Sequence, residues 1–197
     1  MFALRMTDAG PRVEEIATPV RPDEALIKVS FGGICGSELS GYLGHNALRK
    51  PPLVMGHEFS GTIAEIGSAA KGQFPNLKTG AAVTVNPLVF CGECEYCTSG
   101  LEHLCPKRGV IGAFRAGAYA DYVAVPANLV HLLPATLDLR SAALTEPPIA
   151  NSALPVRPPM PAIFTIAPRV ACRCGQAARQ QRIAPKNLSA KPSAQSA

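Results

Sequence analysis

The chain has 197 residues, a hydrophobic fraction of 47% and a formal charge of +5, which allows one ordinary core and raises the question of a nucleic-acid partner. The location of the charge argues against that partner: residues 1–146 hold 12 Lys and Arg against all 14 Asp and Glu, while residues 147–197 hold 7 basic residues, no acid, and only Phe164 to stack on bases. No apolar run of signal length follows Arg5, and none reaches the ~18 residues of a membrane span, so a cytoplasmic protein without a membrane partner is expected.

The first strong strand signal covers residues 25–31, rich in β-branched and aromatic side chains. It runs into Gly-Ile-Cys-Gly-Ser-Glu, which carries Cys35 and Ser37, and a short helix is expected from Gly36 toward Tyr42. A second strand over 58–66 opens on Gly-His-Glu, with His57 and Glu58, and further strands are expected over 82–85 and 119–125. Between those two lie Cys91, Cys94, Cys97 and Cys105, spaced C-x2-C-x2-C-x7-C, with Gly92 and Gly100 available for tight turns. Near the end of this region Asp138 stands where it would cap a short helix toward Leu144, and Glu146 follows in Thr-Glu-Pro. Short strands broken by Gly and Pro give a mainly β, barrel-like domain.

After Glu146 the composition changes. Residues 147–197 contain 9 of the chain's 19 prolines, one aromatic residue and one glycine. Such a segment buries too little apolar surface to offset the entropy of ordering it, so an irregular or disordered tail is expected over 148–197.

Four thiolates around one ion form a closed site with no open position, which is a structural arrangement. Zinc is the favoured metal for the cysteine loop on ligand set and spacing, and an iron–sulfur cluster is the alternative. Two disulfides need an export signal, and four buried free thiols fit badly beside Glu93 and Glu95. Cys35, His57 and Glu146 form a second candidate set, in which three ligands from separate parts of the chain leave a fourth position open to substrate. Taken singly, each has a plain explanation as a core thiol, a hydrogen-bonded imidazole or an exposed carboxylate.

Gly56-His57-Glu58 followed by Gly61, Gly67 and Ala70 resembles the zinc signature of the medium-chain alcohol dehydrogenases, and the four-cysteine loop resembles that family's structural zinc lobe. The resemblance spans residues 1–147 and implies a GroES-like catalytic domain, whose partner in the family is a Rossmann domain binding NAD or NADP. It implies a catalytic zinc on Cys35, His57 and Glu146, the last matching the sorbitol dehydrogenase-like branch, where classical alcohol dehydrogenases carry a cysteine. It also implies that Glu58 is a carboxylate beside the metal that tunes it or competes to bind it, and that Ser37 begins a proton relay. Ser40 stands where some members continue that relay with a histidine. The implied substrate is a small alcohol or polyol, and full-length relatives are homo-oligomeric.

The remaining His45, His103 and His131 match no ligand motif; Tyr42 and His45 are assigned only a place along the substrate cleft. No G-x-G occurs in the 197 residues, and after Gly117 the only glycine is Gly175, so a Rossmann phosphate loop is not expected in this chain. The acid-free run after Pro148 reads as a frameshifted or truncated continuation of a longer gene, and Cys172 and Cys174 within it as incidental. The chain is accordingly expected to represent a zinc-dependent NAD(P) dehydrogenase while being inactive alone. A non-catalytic zinc-binding module is the rival, and a zinc-free quinone reductase relative is disfavoured by the ligand set.

Overall fold

The computed structural model describes residues 1–18, 20–146 and the backbone of 162–165. Its elements are β1 (Phe2–Thr7), β2 (Gly10–Glu15), β3 (Glu24–Ile34), α1 (Gly36–Tyr42), β4 (Leu53–Val54), β5 (Phe59–Ile66), α2 (Ser68–Gln73), β6 (Ala82–Val85), β7 (Leu88–Val89), α3 (Glu95–Thr98), β8 (Gly109–Val110), β9 (Tyr122–Pro126), β10 (Val130–Leu132), α4 (Leu139–Ala142) and β11 (Ala162–Thr165). A six-stranded sheet runs β10-β6-β5-β3-β11, with β9 also paired to β3; β2-β1-β4 and β7-β8 form two smaller sheets. The domain is mainly β, as expected from the short strands. Among the described residues its ladders follow open paths rather than a closed ring.

Alternation along the strands explains the core. Ala25, Ile27 and Val29 of β3 point inward with Phe59 and Ile63 of β5, Val83 and Val85 of β6, and Val123 and Val125 of β9. Each large aliphatic or aromatic side chain among them contributes about 1.5–3 kcal/mol by leaving water. The register of β3 against β5 shifts between Leu26 and Ile27 and again between Val29 and Phe31. Such irregularities bend a strand, and they lie on the segment of β3 that leads to Cys35.

The strands expected over 25–31, 58–66, 82–85 and 119–125 correspond to β3, β5, β6 and β9, with β3 continuing through Gly32 and Gly33 to Ile34. Asp138 caps α4, its Oδ1 accepting from the Ser141 amide at 2.9 Å. The hairpin β1–β2 was not signalled by periodicity, because Pro11 and the charges of Arg12, Glu14 and Glu15 dilute its apolar pattern. In the expected tail, 162–165 pairs with β3 from Ala162 opposite Ile34 to Thr165 opposite Phe31. The rest of the tail, including Cys172 and Cys174, lies outside the described residues.

Candidate metal centres

The cysteine lobe is built locally. Gly92 and Gly100 turn the chain with φ of 77° and 74°, and α3 places Cys94 at its N-terminal cap with Cys97 one turn later. All four thiols are free. Their sulfurs lie 3.5 Å apart for Cys94–Cys97, 3.6 Å for Cys91–Cys105 and 3.9 Å for Cys91–Cys97. A disulfide would need ~2.05 Å, whereas a tetrahedron with ~2.3 Å metal–sulfur bonds has sulfur–sulfur edges of about 3.8 Å. An iron–sulfur cage would hold its thiolates outside several metal atoms and therefore further apart, so the spacing fits a single ion. Backbone N–H groups of Glu93 and Cys94 pull the Cys91 thiol down to about 6, while burial and the neighbouring thiols push Cys97 up to about 12. One thiolate is thus already favoured in the metal-free lobe, beside a thiol that keeps its proton.

The second centre is assembled from distant segments. Cys35 directly follows β3 and caps α1, and His57 and Glu58 precede β5, buried to 5% and 3% exposure. The ligand atoms of Cys35, His57 and Glu58 all lie within 4.8 Å of one another. Gly56 sets the approach: its φ is +100°, and a Cβ there would strike the Tyr119 ring and backbone.

Glu38, three residues after Cys35, organises this centre. It is 1% exposed. Its Oε2 accepts from the Cys35 amide at 2.8 Å and the Tyr119 hydroxyl at 2.9 Å; its Oε1 accepts from the Gly56 amide at 3.0 Å and meets His57 Nδ1 at 2.8 Å. Arg49 also approaches His57 Nδ1, at 3.2 Å, but the Glu38 carboxylate lies closer and, being ionised, only accepts. Nδ1 therefore carries the hydrogen and gives it to Glu38, which leaves the Nε2 lone pair for a metal. Burial opposes the charge on Glu38, yet the hydrogen bond and charge of His57, with the Cys35 amide and Tyr119 hydroxyl, hold its carboxyl below the usual range. His57 is raised in turn: burial works against its charge, and the hydrogen bond and charge of Glu38 outweigh it. Burial and Glu38 push the Tyr119 hydroxyl well upward, which keeps it a donor.

Glu58 is the opposite case. Burial, with the charges of Glu146 and Glu38, pushes its carboxyl upward against the pull of His57. Its Oε2 is buried without a hydrogen-bond partner. A buried oxygen of this kind calls for a cation, and the donor set of thiolate, imidazole and carboxylate suits a zinc-like ion.

The four cysteines come together as expected, and so do Cys35 and His57. Glu146 does not belong to the 4.8 Å group, whereas Glu58 does. Glu146 remains near enough for its charge to bear on both His57 and Glu58. Its position follows from α4, which Ser60 of β5 holds by donating to the Leu139 carbonyl, while Thr145 meets Thr84 of β6 at 3.3 Å. Ser37 Oγ accepts from Arg49 at 2.9 Å. Tyr42, His45, His103 and His131 are exposed. Glu38, Tyr119 and Arg49 were not singled out from sequence; only Glu38 left a local sign, an acid at the third position of a helix that begins at Cys35.

A mainly β domain carrying a four-cysteine lobe and a Cys-His-Glu centre defines the class, and residues 21–135 match the alcohol dehydrogenase GroES-like domain. The chain belongs to that family. It is 43% identical over 125 residues to a sorbitol dehydrogenase of Halalkalibacterium halodurans, covering 63% of this chain and 35% of that protein. Galactitol-1-phosphate dehydrogenase from Escherichia coli superposes with a TM-score of 0.67 at 34% identity, over 75% of this chain and 42% of that one. A protein described as a zinc-binding dehydrogenase from Sinorhizobium meliloti 1021, solved with NADP, gives 0.63 at 36% identity over 73% and 41%. The chain thus spans well under half the length of these relatives. No helix among the described residues is long and apolar enough to cross a membrane.

Proposed function

We propose that residues 1–147 form the catalytic domain of a zinc-dependent dehydrogenase that takes hydride from a secondary alcohol or polyol to NAD or NADP. Cys91, Cys94, Cys97 and Cys105 hold a structural zinc. Cys35 and His57 hold the catalytic zinc with a carboxylate. The expected third ligand was Glu146; the grouping of Glu58 with Cys35 and His57 favours Glu58 in that place, with Glu146 as the charge beside it. The observation that carries the reading is that a Glu58 carboxylate oxygen, the Cys35 thiol and the His57 imidazole lie within 4.8 Å of one another, with the Glu58 Oε2 buried without a hydrogen-bond partner and the His57 tautomer fixed by Glu38.

Zinc in this centre supplies a Lewis acid for the alcohol oxygen, and the nicotinamide supplies the hydride acceptor. The chain's own residues do the rest. Glu38 keeps His57 in one tautomer and orientation. Arg49 donates to Ser37 Oγ, so the Ser37 hydrogen is directed away from the guanidinium and is free to pass a proton to or from the alcohol. The burial of His57 and Glu58 keeps water from competing at the ligand atoms.

Metal content and cobalt spectra test this reading. Two zinc ions per chain are expected, falling to one in Cys35→Ser and to one in Cys97→Ser, and a polyol should shift the visible bands of cobalt at the Cys35 centre. Glu58→Gln should weaken that centre more than Glu146→Gln; the reverse order would restore Glu146 as the ligand. A spectrum indifferent to added alcohol would favour the rival non-catalytic module. Alcohol-dependent NAD(P) reduction by the 197-residue chain alone is expected to stay at background.

A further inference from the structure

Arg49 is a charged side chain only 4% exposed, and neither the metal-ligand set nor the zinc signature accounts for it. Its guanidinium reaches three separate segments. It donates to the Gly112 carbonyl at 2.5 Å, donates to Ser37 Oγ on α1 at 2.9 Å, and lies against the imidazole of His57 at 3.2 Å. Its distance to Glu38 Oε1 is 3.8 Å, longer than the four hydrogen bonds Glu38 already accepts. Pairing with Glu38 is therefore a secondary contact, and the fork toward Ser37 and Gly112 is the main one.

The fold makes room for this side chain. A Cβ at Gly41 would sit 2.7 Å from Arg49 Cδ and 2.8 Å from its Cβ, so α1 presents a gap into which the arginine stem fits. The Arg49 Nε–H is left buried without a partner. An unpaired buried donor is retained at a cost, which indicates that the two terminal nitrogens are where the residue acts.

We propose that Arg49 is a positioning residue of the Cys35–His57–Glu58 centre, clamping α1 to the Gly112 turn so that Ser37 and the metal ligands are held ready before any metal or substrate arrives. This rests on the reading of that centre as a metal site. The clamp depends on the planar fork of the guanidinium and not on its charge alone, because an ammonium is a single point that cannot hold both acceptors in that geometry.

Arg49→Lys in the full chain keeps the charge and removes the fork. Metal affinity at the Cys35 centre, read by competition of cobalt with a chelator, is expected to fall about 10–100-fold, the usual effect of losing a group that orients ligands. The cobalt bands of that centre should broaden while those of the cysteine lobe stay unchanged. Gly41→Ala, which pushes the stem while leaving every charge in place, should act in the same direction and serves if Arg49→Lys does not fold. Wild-type affinity and bands in a folded Arg49→Lys or Gly41→Ala chain would overturn the clamp and leave the metal site standing. Cobalt content unaffected by Cys35→Ser would overturn the metal reading and the clamp with it.

Discussion

The cysteine lobe takes all four ligands from residues 91–105, whereas the other centre draws Cys35 from the end of β3 and His57 and Glu58 from the entrance to β5. In the lobe, glycine turns and one short helix are enough to bring the sulfurs to tetrahedral spacing. At the second centre, Glu38 and Arg49 contact His57, Tyr119 supports Glu38, and the register of β3 against β5 shifts before the chain reaches Cys35. A site built from neighbouring residues depends on its metal to order it. One built from distant strands borrows its order from the core.

Removing the lobe's metal should have the largest effect. Cys105→Ser, at a fully buried ligand, forfeits most of a binding free energy that reaches about 10–16 kcal/mol in small structural zinc sites. Amide signals of 91–105 should collapse toward random coil while those of β3 and β5 persist; collapse of both together would show that the lobe is not a separate unit. The second centre should behave in the opposite way. Glu38→Ala leaves the His57, Gly56, Cys35 and Tyr119 donors without their acceptor, and loss of one member of a buried charged pair costs about 3–5 kcal/mol. Denaturant unfolding of the metal-free chain should show this loss across the whole domain, whereas an unfolding change confined to α1 would contradict it.

The smallest effect is the pH dependence of the metal-free protein. His57 and Glu58 are both raised in the folded state, from ordinary values of 6.5 and 4.5, so the stability each contributes is full below those values and declines as pH rises through the folded ones. Glu38 is lowered from 4.5, so its contribution is full above that value and is lost as pH falls through its folded one. The lowered Cys91 thiol acts in the opposite direction, gaining stability as pH rises through about 6, so the test uses Cys91→Ser: unfolding of that metal-free variant should be hardest in mildly acidic buffer and easier toward pH 8, and zinc at the Cys35 centre should remove the alkaline decline, since it takes the place of the protons. A metal-free stability of Cys91→Ser that rises steadily from pH 5 to pH 8 would contradict the directions given for His57 and Glu58.

Much of this was legible along the chain. The cysteine spacing signalled the grouping of four thiols because its geometry is local, and alternation marked β3, β5, β6 and β9 because each hides one face in the core. Asp138 was readable as a cap because its partner, Ser141, is three residues away. Which carboxylate joins Cys35 and His57 was not, since Glu58 and Glu146 both carry the right chemistry and only the packing of α4 on β5 and β6 fixes their distances. Arg49 and Tyr119 left no sign, because their partners lie up to 63 and 86 residues away. The candidate donor types, the family and the mainly β character were readable from the residues, since these rest on residue chemistry and short-range periodicity. Which donors come within reach of one ion, and which side chains surround them, was settled only by the fold, because close approach between distant strands is set by the packing of the core.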